Sequence, residues 1–316
     1  MTGAPTIEAR SLSKQLGTVT AVDGLSLSVA RGEIFGLVGP DGAGKTTTMR
    51  LLTGVMQPTS GSAIVLGLEV ARDPEAVRQR IGYVPQGSSL YADLSARENL
   101  HFYADLFGVP KAERDRKTTE LLAFSRLEPF AKRLAKNLSG GMRQKLALCC
   151  ALIHRPEVLF LDEPTIGVDP VSRREFWLLV YQLLQQGLTL LVSTPYLDEA
   201  ERCHQVGLMD HGRLIACDTP AGLRRLLPGS LVEVRGPSPE LASPLARRLP
   251  EALEAQVFGD TLHVLVRDIE RDLPRLQAAL RAEGFSEAHL RSIAPGLEDV
   301  FVTLLRQRRE GSTPRQ

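Results

Sequence analysis

The chain has 316 residues, of which 43% are hydrophobic and 24% charged, so it can hold one large α/β domain with a smaller one, or two ordinary domains. Its net charge of +1 gives no reason to expect nucleic acid as a partner. The first residues lack the apolar core of a signal peptide, and the longest apolar run, Leu146–Ile153, is too short to cross a bilayer. If the protein acts at a membrane, we therefore expect another chain to span it.

The N-terminal part of the chain has the alternating strand and helix pattern of an α/β domain. Residues Thr6–Val29 alternate in hydrophobicity, which predicts an antiparallel sheet leading into the core. Short apolar runs beside helical segments predict buried parallel strands at Gly32–Val38, Val158–Leu161 and Leu188–Ser193. The predicted helices are Lys45–Leu52, Ala96–Leu106, Lys111–Leu122, Gly140–Ile153 and Val171–Gln185.

A second and smaller pattern of strands and helices follows the residue pair Pro228–Gly229, which interrupts regular secondary structure. Its strands and helices predict an α+β domain over residues 229–305, with segments at Ser230–Arg235, Leu262–Val266, Leu273–Glu283 and Gly296–Leu305. We predict that the first domain covers residues 1–228, with Thr219–Leu227 as its closing helix. The basic and polar tail, residues 306–316, is predicted to be disordered.

The loop Gly39–Thr46 (GPDGAGKT) fits the phosphate-binding pattern G-x4-G-K-[ST] between an apolar strand and a helix. Glycines let backbone N–H groups approach phosphates, and the following helix directs its positive end at them. We expect Lys45 to reach the outer phosphates and the Thr46 hydroxyl to bind Mg²⁺. The strand and helix on either side argue against a plain glycine-rich turn with an exposed lysine. The predicted nucleotide-binding residues here are Gly39, Pro40, Asp41, Gly42, Ala43, Gly44, Lys45, Thr46 and Thr47.

Two adjacent carboxylates, Asp162 and Glu163, follow the apolar strand Val158–Leu161. At the carboxyl end of a strand, Asp162 can hold Mg²⁺ through water. Glu163 can polarise the attacking water and is the predicted catalytic residue. Beside a phosphate loop, an ordinary strand-end turn is the weaker reading of the pair.

A second anion-binding pattern, Ser139-Gly140-Gly141-Met142, precedes the predicted helix Gly140–Ile153. Serine is a helix cap, and the two glycines leave backbone amides bare. One pocket does not need two phosphate cradles, but two subunits that sandwich a nucleotide do. A simple helix cap with a flexible glycine pair is the alternative.

These motifs together resemble the ATP-binding cassette (ABC) ATPases over roughly Ile7–Leu227. Gly39–Thr46 resembles their Walker A motif and Val158–Glu163 their Walker B motif. Leu138–Gln144 resembles the signature, with Met142 where glutamine is usual. The resemblance implies a P-loop NTPase fold of ABC type, with an antiparallel β subdomain and a helical subdomain at about residues 87–155, and it implies ATP and Mg²⁺ as cofactors.

Further positions follow from the same resemblance. Gln86 matches the Q-loop, which implies contact with ATP and Mg²⁺, and Asp169 matches the D-loop. The segment after Gln86 presents Leu90, Tyr91, Leu94 and Phe102, which either dock a membrane partner or belong to the core of the helical subdomain.

The segments Ser89–Leu100 and Ser193–Cys203, with the GLEDVF sequence near the C-terminus, resemble ATPase subunits of ABC-2-type, drug-export-like exporters. The C-terminal region resembles the accessory domain of that group. The resemblance implies ATP hydrolysis in a cassette dimer that drives export by a separate membrane-spanning permease, with this chain on the cytoplasmic face of the cell membrane. A homodimer and a mixed pair both remain open. So do a weakly hydrolysing or regulatory subunit and a soluble ABC ATPase not tied to transport.

Two positions depart from the family pattern. Leu16 lies where an aromatic residue usually stacks on the base, so selectivity for adenine is expected to be loose. Pro195 replaces the switch histidine that contacts the γ-phosphate, and proline has no side-chain donor and no N–H. Binding of ATP is expected to survive these changes, while hydrolysis is expected to be slow.

Overall fold

The computed structural model describes residues 4–311 apart from 88 and 237, and the chain divides into two units between Thr219 and Pro220. No helix in these ranges is long and apolar enough to cross a membrane. In chain order the first unit contains β1 (Ile7–Leu16), β2 (Val19–Val29), β3 (Ile34–Val38), α1 (Lys45–Leu52), β4 (Ser60–Val65), β5 (Leu68–Glu69), α2 (Pro74–Arg80), β6 (Ile81–Val84), α3 (Ala96–Leu106), α4 (Lys111–Ser125), α5 (Gly140–Leu152), β7 (Val158–Asp162), α6 (Pro170–Gln185), β8 (Thr189–Thr194), α7 (Leu197–Ala200), β9 (Gln205–Asp210) and β10 (Arg213–Asp218).

A six-stranded sheet in the order β10–β9–β3–β8–β7–β6 forms the centre of the first unit. Its strands are parallel except at the β9–β10 edge. Every residue of β3, β7 and β8 is buried, as expected for parallel strands covered on both faces. The three buried strands predicted from the sequence are confirmed. Because the strands are parallel, their carboxyl ends lie at one edge, where ligands bind in open α/β sheets.

The predicted antiparallel sheet is also confirmed, in the order β2–β1–β4–β5. Ile7 at the start of β1 pairs with Val29 of β2 on one side and with Val65 of β4 on the other. The inward residues of these strands share one apolar cluster with Phe35 and Phe160 of the central sheet. This sheet therefore packs directly against the strand that leads into the phosphate loop.

Helices α3, α4 and α5 form a helical part with its own apolar cluster, which includes Leu100, Leu122 and Leu146. A capping box at Ser95 and Glu98 starts α3. The predicted helices of this region are confirmed, with α4 continuing to Ser125. The phosphate loop precedes α1, which packs in the apolar cluster of the sheets, and the signature precedes α5, which packs in the cluster of the helical part.

The second unit contains α8 (Pro220–Arg224), β11 (Ser230–Arg235), α9 (Pro239–Ala246), β12 (Ala252–Phe258), β13 (Thr261–Val266), α10 (Ile269–Ala282), β14 (His289–Ile293) and α11 (Leu297–Gly311). Its antiparallel sheet has the order β12–β13–β11–β14, and α9 and α10 share an apolar cluster with it. This is the predicted α+β composition, although the predicted boundary after residue 228 falls inside this unit.

The disordered tail predicted for residues 306–316 differs from the structure in the part that the structure describes. Helix α11 continues through residue 311, while residues 312–316 lie outside the described ranges. Leu297 and Val300 at its start are buried, and Asp299 bonds to His263 of β13 at 2.7 Å. Once the first turn of a helix is fixed, each further residue that is ordered adds one backbone hydrogen bond, so the helix can continue into a polar segment. The polar composition of the segment does not show that such a turn precedes it.

Candidate functional site

The loop Gly39–Thr46 connects β3 to α1 at the carboxyl edge of the central sheet. Gly42 and Gly44 have φ of 79° and 99°, in the region that glycine adopts without strain. A Cβ on Gly39 would lie 2.1 Å from the backbone oxygen of Met209, so no larger residue fits there. Within the loop Ala43 is buried and its N–H donates to Pro40 O at 3.1 Å, whereas Asp41 is exposed. Gly42 is therefore required by backbone conformation, Gly39 by close packing, and Gly44 by both, since a Cβ there would lie 2.3 Å from the backbone oxygen of Ala21.

Lys45 is the first residue of α1, and its side chain is 3% exposed. Its Nζ atom donates to the carbonyl oxygens of Gly39 at 2.7 Å and Pro40 at 3.0 Å. The same atom lies 3.0 Å from Oε1 of Glu163, so the predicted lysine and the predicted catalytic carboxylate form one buried ion pair. Thr46 and Thr47 follow on the first turn of α1 and are half-buried.

Asp162 ends β7 and is fully buried. Its Oδ1 accepts hydrogen bonds from Thr46 Oγ1 at 3.1 Å and Ser193 Oγ at 2.6 Å, and its Oδ2 accepts one from the Tyr83 hydroxyl at 3.3 Å. Burial and, next, the charge of Asp162 raise the pKa of the Tyr83 phenol, which therefore keeps its proton. The predicted pair of Thr46 and Asp162 is thus brought together.

The oxygen atoms of Thr46 and Asp162 fit Mg²⁺, which prefers a hydroxyl or carboxylate oxygen and keeps water and substrate phosphate in its shell. Within residues 4–311, leaving aside 88 and 237, no group of three or more His, Cys, Asp or Glu side chains is placed to hold a metal ion. Phosphate and water oxygens would therefore have to complete the metal shell.

Glu163 leaves β7 with a φ of 51°, a left-handed conformation that is uncommon for a residue with a side chain. Its backbone N–H is held by the carbonyl oxygen of Ser193 at 3.1 Å and by Ser193 Oγ at 3.0 Å. Oε2 of Glu163 accepts from Gln86 Nε2 at 2.6 Å. Gln86 thus contacts the predicted catalytic carboxylate, and its contact with metal remains a prediction. The two acidic residues have different partners because the chain turns between them.

Three further residues of the site are not predicted by the motifs. Ser193 of β8 lies opposite Asp162 in the β7–β8 pairing and binds both acidic residues. Tyr83 of β6 holds Asp162. Glu199 of α7 is fully buried and accepts from Thr165 at 2.5 Å and from Thr194, the residue before Pro195, at 2.7 Å. The order of the strands, which sequence motifs do not encode, brings Ser193 and Tyr83 to the site.

The signature segment begins α5. Ser139 caps this helix, and its Oγ accepts from the backbone N–H of Met142 at 3.3 Å. A Cβ on Gly140 would meet no atom closer than 3.6 Å, whereas a Cβ on Gly141 would lie 2.3 Å from Cβ of Ser172 on α6. Gly140 therefore leaves its backbone open, while Gly141 is required by packing. Met142 packs against the helical cluster.

Asp169 caps α6, the helix that packs against Gly141. Its Oδ1 accepts from the backbone N–H of Ser172 at 2.9 Å, and this bond lowers the pKa of the Asp169 carboxyl. A groove of about 200 Å³ lies between the Gln86 loop and the starts of α5 and α6, with Gly87, Gly140 and Gly167 in its lining. The signature and the D-loop are adjacent in this chain, and their contact with a partner's nucleotide remains a prediction.

The predicted base-binding position, Leu16, ends β1 and is 45% exposed. Val19 of β2 pairs directly with it and is 63% exposed. Residues opposite each other in a sheet point to the same face, so the two form one small apolar surface. Pro195, the other departure from the family pattern, is half-buried just after β8.

We expect ATP and GTP to compete within about tenfold for this chain. Leu16 and Val19 offer an apolar surface but no aromatic ring, and stacking of a base on an aromatic ring is worth about 1–3 kcal/mol. Displacement of a fluorescent ATP analogue by each nucleotide measures the ratio. The variant Leu16→Tyr should tighten ATP binding, and Val257→Tyr, an exposed residue of the second unit, is the matched control. A much larger preference for ATP in the parent chain would contradict the prediction.

Comparison with known proteins identifies the family. A family model described as ABC transporter matches residues 22–166. The daunorubicin resistance ATP-binding protein DrrA2 of Streptomyces coeruleorubidus is 37% identical over 315 residues, which are 98% of this chain and 98% of that protein. The chain belongs to the ABC transporter family.

Other relatives of this ABC chain carry export names. Nod factor export ATP-binding protein I of Paraburkholderia xenovorans is 39% identical over 94% of this chain and 96% of that protein. The probable multidrug ABC transporter ATP-binding protein YbhF of Escherichia coli is 42% identical over 90% of this chain. The ABC chain spans only 49% of the length of YbhF.

Solved structures agree with the ABC fold. A structure described as the ATP binding subunit of an ABC transporter has a TM-score of 0.63 and 32% identity, and the match covers 70% of this chain and 92% of that one. A dimeric ATP-binding cassette in a post-hydrolysis state, bound to ADP and phosphate, has a TM-score of 0.63 at 24% identity, which supports the fold alone. The ABC resemblance and the predicted P-loop fold class are both confirmed.

Proposed function

We propose that the chain binds and hydrolyses ATP with Mg²⁺ in a cassette dimer and thereby drives export by a separate membrane-spanning permease. The observation that carries this proposal is the buried cluster at the carboxyl edge of the sheet, in which Lys45, Glu163 and Gln86 are linked by contacts of 3.0 and 2.6 Å. A second pair, Thr46 and Asp162, lies beside it. The export names of the relatives support the transport part.

The chain's own groups account for binding and for the activation of water. Backbone amides of the loop and the positive end of α1 face the phosphates. Phosphate oxygens that bind Lys45 compete with Glu163 for the same ammonium group. Loss of that partner frees the Glu163 carboxylate to accept a proton from water, with Gln86 still bonded to its other oxygen. Magnesium, when bound through Thr46 and Asp162, supplies positive charge against the phosphates.

A second cassette completes the site. The backbone at Ser139 and Gly140 is open at the start of a helix, which is an anion-binding arrangement. In this chain it is not needed for the phosphates of the loop Gly39–Thr46. We infer that Ser139, Gly140, Gly141, Met142 and Asp169 face the nucleotide of a partner cassette, in a homodimer or a mixed pair.

A groove beside the Gln86 loop is suited to a helix of the permease. It has a volume of about 590 Å³, and its lining combines apolar and aromatic side chains, among them Val55, Tyr83 and Leu106, with the charged side chains of Glu75 and Arg78. Val55 and Leu106 are exposed at 57% and 64%. Exposed apolar residues grouped at a groove are typical of a protein-binding surface.

The predicted docking residues differ in burial. Tyr91 and Phe102 are exposed, with ring centroids 4.3 Å apart, while Leu90 is half-buried against the helical cluster and Leu94 is half-buried. The buried amide of Asn99 fixes the turn between Tyr91 and Leu94 through bonds to three carbonyl oxygens and the N–H of Tyr91. Tyr91 is therefore a surface residue presented by a rigid turn, and docking through it is our proposal.

We expect Tyr91→Glu to abolish transport while ATP affinity stays within about twofold of the parent. A carboxylate on an apolar docking surface leaves an unpaired charge at the interface, which costs several kcal/mol. Transport in cells and ATP binding to the purified variant are the two measurements. Leu178→Glu on α6, which also places a carboxylate at an exposed hydrophobic position, should leave both unchanged. Loss of ATP affinity in Tyr91→Glu would contradict the docking role.

The transport proposal itself is tested by cross-linking in membranes. We place the chain in the cytoplasm, peripheral on the inner face of the cell membrane. A cross-linker on Tyr91→Cys should form an adduct with a membrane-spanning protein, and one on Leu178→Cys should not. If neither variant forms an adduct in membranes where the chain is functional, that result would favour a soluble ATPase not tied to transport.

A second candidate, a weakly hydrolysing or regulatory member of a mixed pair, is favoured by Pro195 alone. Apart from Leu16 and Met142, the site keeps the residues of the family pattern, so ATP binding is expected in both candidates. Phosphate release by the purified chain separates them, since only the first requires turnover by this chain.

A further inference from the structure

The side chain of Tyr83 connects the groove to the magnesium carboxylate. Tyr83 lies on β6, the edge strand of the central sheet, and lines the 590 Å³ groove. Its ring packs against the apolar cluster of the first unit. Its hydroxyl reaches Oδ2 of Asp162 at 3.3 Å. One half-buried side chain therefore contacts both a surface for a partner and a fully buried group of the active site.

The hydrogen bonds around Asp162 divide between its two oxygens. Thr46 and Ser193 donate to Oδ1, and Tyr83 donates to Oδ2. A carboxylate held at one oxygen can still rotate about its χ2 bond, which is a broad torsion. A donor on the other oxygen fixes the plane of the carboxylate and the direction in which its lone pairs face Thr46.

We propose that Tyr83 is a positioning residue, which holds the Asp162 carboxylate in the orientation that binds magnesium with ATP. Groups that orient a metal ligand typically contribute 10–100-fold in metal affinity. The hydrogen bond from Tyr83 to Asp162, at 3.3 Å, is long for an O–H donor, so we expect its contribution to metal affinity to be nearer tenfold than 100-fold. The proposal rests on the proposed function only in taking Asp162 as the magnesium carboxylate.

The variant Tyr83→Phe tests the proposal because it keeps the ring and removes only the hydroxyl. Binding of a fluorescent ATP analogue to the full chain is measured in EDTA and across a Mg²⁺ titration. We expect the Mg²⁺ concentration for half-maximal enhancement of binding to rise about tenfold, with binding in EDTA unchanged within twofold. Tyr181→Phe on α6 likewise removes one phenolic hydroxyl from a half-buried tyrosine, whose ring neighbours Trp177, and it should leave both values unchanged.

The result that overturns the proposal is an unchanged Mg²⁺ requirement in Tyr83→Phe, or an equal loss of binding with and without Mg²⁺, which would indicate a role in packing only. The variant Asp162→Asn separates this failure from failure of the site assignment. If Asp162→Asn changes the Mg²⁺ requirement and Tyr83→Phe does not, only the role of Tyr83 is wrong. If neither changes it, the magnesium assignment of Asp162 is wrong as well.

Discussion

The variant Glu163→Gln is expected to hydrolyse ATP about 10²–10⁴-fold more slowly than the parent chain, the usual contribution of a general base. Glutamine has nearly the same shape but cannot accept the proton of water. It also removes the buried negative charge that competes with phosphate for Lys45. ATP binding should therefore be equal or tighter. Phosphate release and binding of a fluorescent ATP analogue measure the two effects on one preparation.

A matched control is available at Glu157, a surface carboxylate whose side chain is 50% exposed and paired with Arg80. Glu157→Gln should leave both hydrolysis and binding unchanged, since exposed ion pairs contribute little. Turnover in Glu163→Gln that stays above a tenth of the parent value would mean that another group activates the water.

Pro195→His is expected to raise ATP turnover by at least about tenfold. One hydrogen-bond donor aimed at charge that develops in a transition state is typically worth about 10²–10³-fold. The position is suited to such a donor because Thr194 before it is fixed by the buried carboxylate of Glu199. The gain should appear in the turnover rate at saturating ATP rather than in ATP affinity.

The control for this change is Pro195→Ala, which removes the proline ring without adding a donor. An equal gain in both variants would attribute the effect to the backbone and contradict a role for the imidazole. Brisk hydrolysis by the parent chain that disappears in Glu163→Gln would contradict the slow-site hypothesis and favour a homodimer with two working sites. A slow parent that Pro195→His accelerates favours a mixed pair.

The parts of the site that are contiguous in sequence could be predicted, and those built by strand order could not. Gly39–Thr46 and the pair Asp162 and Glu163 are local patterns with local causes, a tight turn and a strand end. Ser193 and Tyr83 meet Asp162 only because β8 and β6 flank β7 in the sheet. Knowledge of that order would have predicted Ser193, which lies opposite Asp162 in the pairing.

Two differences from the sequence predictions have the same origin. The composition of residues 306–311 predicts disorder, but the anchored first turn of α11 carries the helix through them. The glycine pair Gly140–Gly141 predicts a flexible pair without side chains, but Ser172 of the neighbouring helix occupies the space that a side chain on Gly141 would need. In both cases a contact between segments distant in sequence decides what composition leaves open.

The contact between Gly141 and Ser172 has a consequence for how two cassettes would meet. Because not even a Cβ atom fits between Gly141 and Ser172, the beginnings of α5 and α6 are packed tightly against each other and form a single rigid edge. Ser139 and Asp169 sit at the two ends of that edge as the caps of these helices. In the proposed dimer, a partner cassette that approaches this face would meet both caps in one step, so that recognition of its nucleotide and alignment of its backbone would be the same mechanical event.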